Sequence, residues 1–221
     1  MATSKNKKIV DNQFIISKYM EHALEHDGFP KSVYKFCKEI KITEEEFYKC
    51  FGSLEKVNSS IWAAFFTTTV DAMHKNKEYA EFTSREKMLT FFYTFFEMLT
   101  LNRSYVLFAL KEGNMPLKNV SQLKELRRNI RDFTKDLIET DNEEKQYKIT
   151  KNPVQVFSEG AWLQFLFLLN FWANDDSAQF EKTDIAIEKS VNTIFDLFDN
   201  TPLNSILDFG KFLWKEKVMS N

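Results

Sequence analysis

Apolar positions in this chain recur at intervals of three and four, and the few breakers fall between the periodic stretches. A first helix carries Ile16, Met20, Ala23 and Leu24 on its inner face and closes at Asp27, Gly28, Phe29 and Pro30. Ser32 is placed to cap a short second helix over residues 33–38. Thr43, followed by Glu46, makes a capping box for a third. A long fourth helix spans about residues 54–75. Thr83 with Glu86 opens a helix whose stripe is Met88, Phe91, Phe92, Phe95, Phe96 and Leu99. Tyr93 and Met98 widen that stripe and predict burial on nearly every side. Residues 102–111 form a shorter helix ended by Gly113 and Pro116, and residues 118–139 an amphipathic, strongly charged one. A polar connector over 141–151 leads to Pro153 and a long apolar helix reaching about Asn174. Beyond a polar loop at 175–179, one more helix carries Ile187, Val191, Ile194, Phe195 and Phe198. Pro202 then precedes a short last helix ending near Lys217. The pattern predicts an all-α protein of about ten helices with no strand.

Composition supports that reading. Among 221 residues there are 23 Phe but only five Gly and four Pro. The net charge of −2 supplies no bulk attraction to nucleic acid or to an anionic membrane. The most apolar run, 163–172, is far shorter than a membrane span, and no apolar signal region follows the basic N-terminus. Cys37 and Cys50 offer no disulfide framework and no metal-ligand spacing, so the expectation is a reduced, cytoplasmic protein. His22 and His26 stand at i, i+4, a spacing able to hold a metal, but no third ligand is evident from the sequence, and an exposed helix end accounts for them; no metal site is expected. There is no glycine-rich phosphate loop, no Gly-x-Ser-x-Gly elbow and no His-Glu-x-x-His. No catalytic residue or cofactor is therefore assigned.

The stretch SVYKFCKEIKITEEEFYKCFGSLEKV, residues 32–57, together with the order of helices, resembles the TetR family of bacterial regulators. Phe36 and Cys37 match an apolar residue followed by a small one. Ile42 and Thr43 match the turn residue and the cap of the third helix. Phe47, Tyr48 and Phe51 match the apolar–Tyr–x–x–Phe signature, and Ser53 the cap of the fourth helix. The resemblance implies a helix-turn-helix head at 1–55 and a ligand-binding and dimerisation domain at 56–221. It also implies a homodimer with DNA and an apolar small molecule or lipid as partners, coupled through the long fourth helix. DNA contact would fall to Ser32, Thr43, Glu44, Glu45, Glu46, Tyr48 and Lys49, with Lys5, Lys7 and Lys8 as a basic arm.

The residues facing DNA depart from the family pattern. Lys41 stands where a turn glycine is usual, and Leu54 where the family has a phosphate-contacting lysine. Glu44–Glu46 occupy the first turn of the reading helix, and residues 1–51 contain no arginine. Carboxylates there complement the helix dipole; alternatively, a glutamate can accept from cytosine N4. Three carboxylates beside phosphates repel, so weak DNA binding or none is expected. In the larger domain, an apolar chamber would draw on Phe92, Phe96 and Phe108, with Glu97, Gln164 and Asn170 orienting a ligand. Core packing is the alternative for these aromatics. The subunit interface is expected at Trp162, Phe165, Leu169 and Trp172 with Ile187, Val191, Ile194 and Phe195. The leading function is a ligand-responsive transcriptional regulator; the alternative is a protein of the same fold that has lost DNA binding and carries a lipid.

Overall fold

The computed structural model describes residues 10–112, 121–144 and 153–200. Lys5, Lys7, Lys8, Gly113, Pro116, the connector beyond residue 144 and the helix expected after Pro202 lie outside these residues. Among the described residues there are nine α-helices and no strand. They are α1 (Asn12–Glu25), α2 (Val33–Ile40), α3 (Glu44–Cys50), α4 (Leu54–Met73), α5 (Ser84–Leu101), α6 (Arg103–Glu112), α7 (Lys124–Glu144), α8 (Val154–Ala173) and α9 (Glu181–Asn200). Short 3-10 turns occupy Lys77–Glu81, Ser121–Leu123 and Ala178–Phe180. The polar sequence at 141–144 extends α7 by a turn beyond its expected end.

The chain packs as two compact units, Met1–Phe65 with Leu99–Leu126, and Phe66–Met98 with Arg127–Asn221. In the first, α1 to α3 start where caps satisfy their free amides. The Asp11 carboxylate accepts from the Phe14 amide at 2.8 Å, and the Ser32 hydroxyl from the Lys35 amide at 3.4 Å. Ile15, Tyr19 and Ala23 bury the inner face of α1, while Leu24 is exposed and Ile16 and Met20 are half-buried. The helix is thus turned from the orientation its aliphatic residues suggest. The Tyr19 ring decides this, stacking on Phe29 at 5.8 Å and meeting Phe36 edge-on at 6.0 Å. Phe36, Cys37 and Ile40 of α2, Phe47 of α3 and Phe51 complete the head's core. Burying side chains of this size contributes about 1.5–3 kcal/mol each.

The second unit is built around aromatic rings. Phe91 meets Phe66, Phe92, Phe95 and Phe133 at 5.7, 5.4, 5.6 and 4.9 Å. Phe95 and Phe96 reach Phe165 of α8, and Phe96 reaches Trp172. The α5 stripe is buried as its spacing predicts, whereas Tyr93 and Glu97 lie on an exposed side of the helix. Arg85 joins α5 to α9 by bonding Asp196 at 2.7 Å and lying over the Phe195 ring. Between α8 and α9, Asp175 is buried and accepts four hydrogen bonds. Oδ1 takes the Ser177 amide and hydroxyl at 2.9 and 2.6 Å, and Oδ2 takes those of Thr183 at 2.9 and 2.6 Å.

Candidate functional site

The helix-turn-helix frame is closed by its own short-range chemistry. Lys41 ends α2 in the left-handed conformation, φ 60° and ψ 49°, where the family uses glycine. An L-residue there costs roughly 1 kcal/mol. Thr43 then caps α3. Its hydroxyl accepts from the Glu46 amide at 3.1 Å, while the Glu46 carboxylate accepts from the Thr43 amide at 2.8 Å. The capping box is complete.

This geometry assigns two of the three glutamates a local task. Glu46 is turned back onto the N-cap. Glu45 pairs with Lys49 at 2.7 Å, one turn on, and that bond first of all raises the lysine's pKa. Glu44 is exposed. Tyr48 projects from the same helix and is 53% exposed. Ser32 is committed to the α2 cap. Over residues 10–51 there are six lysines against eight carboxylates, so the basic excess of the head rests entirely on Lys5, Lys7 and Lys8.

In the second unit a cleft of about 490 Å³ is lined by Phe66, Val70 and His74 of α4, Tyr79, Lys87 of α5, and Asn129, Asp132, Phe133, Asp136, Leu137 and Thr140 of α7. The Lys87 ammonium lies 5.8 Å from the centre of the Tyr79 ring. None of the six residues expected to line a chamber borders this cleft. Phe92 and Phe96 are packed in the aromatic core, and Phe108 packs on Phe29 in the other unit at 5.2 Å. Gln164 is buried and donates to the Ser190 hydroxyl at 2.9 Å. Glu97 and Asn170 are exposed and lie outside the buried aromatic core.

The residues expected between subunits are also placed differently. Trp162, Phe165, Leu169, Trp172, Ile187, Val191 and Phe195 are buried within the single chain, and Ile194 is half-buried. Their apolar surface is already covered by α5, α8 and α9 packing together. What α8 leaves outward is Leu163, 66% exposed, and Phe167, 55% exposed, one turn apart; on α9 Leu197 is exposed. Sequence periodicity had no means of separating these from the core stripe, because α8 is apolar around most of its circumference.

An all-helical chain with this head and this paired α8–α9 end has the form of a tetracycline-repressor-like protein. Residues 87–213, more than half of the chain, match the family described as "Tetracyclin repressor-like, C-terminal domain". The chain belongs to the TetR family. No curated protein matches it. Among the described residues no helix is long and apolar enough to cross a membrane.

Proposed function

We propose that this chain is a transcriptional regulator that binds DNA as a homodimer through the α2–α3 head and responds to a small molecule. The observation that carries this reading is the head itself: a capped α2, a left-handed turn at Lys41 and a capped α3 presenting Tyr48 and Lys49 outward. The domains divide as 1–55 for DNA and 56–221 for ligand and partner subunit. The cleft against Phe66, Val70, Tyr79 and Phe133 has the volume of a small-molecule site, and its walls suit an apolar or aromatic ligand. Helix α4 carries residues of that cleft and begins at Leu54, a short turn after α3 ends at Cys50, so the chain runs directly from the cleft to the head. Leu163, Phe167 and Leu197 are the apolar surface on which a second copy pairs.

The acidic first turn of α3 favours a second reading, a protein of this fold that has given up DNA and carries a lipid. Binding of the full-length protein to the DNA upstream of its own coding region separates the two. A regulator loses affinity steeply as salt rises, because binding releases counterions. Absence of any salt-sensitive affinity at about 50 mM salt overturns the regulator and leaves the second reading.

A further inference from the structure

The pair His22 and His26 has a third partner that sequence spacing could not show. Glu39, near the end of α2, places Oε1 2.8 Å from His22 Nδ1 and 3.3 Å from His26 Nε2. The two imidazole rings are 4.3 Å apart. The three donor atoms lie within 4.8 Å of one another. We propose that His22, His26 and Glu39 form a binding site for a zinc-class divalent transition-metal ion, which ties the end of α1 to the end of α2.

The donor set and its mounting favour this over a plain ion pair. Two imidazoles at i, i+4 share one helix face, the spacing used for paired histidine ligands. Tetrahedral zinc with bonds near 2.0–2.1 Å sets its ligand atoms about 3.3 Å apart, close to the 2.8 and 3.3 Å between each imidazole and the carboxylate. An ion pair needs one imidazole; here both ring nitrogens converge on the same carboxylate oxygen. His22 is half-buried, its ring held edge-on by Phe36 at 5.9 Å, so one ligand is fixed before metal arrives. His26 and Glu39 are more exposed and can close the remaining gap by side-chain rotation. Two nitrogens and one oxygen select zinc, cobalt, nickel or copper over magnesium or calcium. A recess of about 260 Å³ beside the site, walled in part by Glu21, Glu25 and Lys41, leaves room for water as a fourth ligand.

The inference stands on this geometry alone and survives the failure of the DNA reading. Its test is calorimetric titration of tag-free, full-length protein with zinc chloride, and separately with cobalt chloride followed by visible absorption. The expected result is one ion per chain and a tetrahedral cobalt spectrum. His26→Ala and Glu39→Gln should each weaken affinity by more than about tenfold, the low end of what losing even an outer partner costs. Both positions are exposed enough to be changed without unfolding the head, which far-ultraviolet circular dichroism checks. Absence of stoichiometric binding overturns the proposal. So does binding that neither substitution weakens, since the metal is then held elsewhere.

Discussion

Asp175→Asn removes a charge from the turn that joins α8 to α9 while preserving its shape. Each carboxylate oxygen accepts one amide and one hydroxyl, at 2.9 and 2.6 Å in both pairs. Asparagine keeps one acceptor oxygen and turns an amide NH₂ toward the other pair. The hydroxyl of that pair can rotate and accept, but the backbone amide cannot, and a buried donor is orphaned. A hydrogen bond to a charged group contributes about 1.5–3 kcal/mol, and an orphaned buried donor costs about 1–3 kcal/mol. These overlap, so the net loss is about 2–4 kcal/mol. Burial and the charges of Asp175 and Glu181 raise the Asp184 carboxyl, and relief of that repulsion offsets a small part of the loss. For a chain of this length each kcal/mol lowers the midpoint by about 2–4 °C, giving roughly 6–12 °C for the middle of the range. The pH dependence has a definite sign. Burial pushes the Asp175 carboxyl up, but the bonds from Ser177 and Thr183 outweigh it and hold the folded-state value well below the ordinary carboxylate range. The unfolded value is about 3.9. The stabilisation is therefore complete above about pH 5 and is lost as the pH falls through the unfolded value toward the folded one. Urea unfolding of both proteins at several pH values measures the gap. A gap below about 0.5 kcal/mol at neutral pH, or one that does not narrow on acidification, refutes the reasoning.

Four further outcomes are expected. Lys41→Gly relieves the left-handed backbone and should stabilise the head by about 0.5–1 kcal/mol, read by chemical denaturation. Glu44→Gln with Glu45→Gln frees Lys49 and removes two charges from the α3 face, so DNA affinity should rise, by more at low salt than at high, in fluorescence anisotropy. Leu163→Glu with Phe167→Glu should convert the proposed homodimer to a monomer by light scattering while leaving the helix content of the chain intact. Phe165→Ala should behave in the opposite way, costing about 3–5 kcal/mol of stability with the dimerisation constant unchanged, because its ring is wholly buried inside one chain.

What was legible in the sequence was mostly what is decided within one turn of helix. Ser32, Thr43 with Glu46, and Thr83 with Glu86 act on amides three residues away, and each forms the bond its spacing implies. The α5 stripe was legible for a related reason: six large apolar residues at helical spacing have no other place to go. The rotation of α1 was not, because it is settled by Phe29 and Phe36, which lie on later segments and compete for the Tyr19 ring.

The same limit bears on the residues expected at a subunit interface and on the candidate metal site. Periodicity reports that Trp162, Phe165, Leu169 and Trp172 are buried, but carries no mark of which chain covers them. The rings of Phe95 and Phe96 reach that stripe first, so the outward side of α8 falls to Leu163 and Phe167. His22 and His26 were visible as a pair because their spacing is local, whereas Glu39 joins them only once α2 packs beside α1. On α3 both kinds of information meet. The run Glu44–Glu46 looks from the sequence like one block of repulsion against DNA. In the folded head it separates into a capping carboxylate at Glu46, an exposed partner for Lys49 at Glu45 and an exposed Glu44. For the proposed DNA contact, Glu46 keeps its negative charge although its carboxylate is turned back onto the cap, and a phosphate has to compete with Glu45 for Lys49.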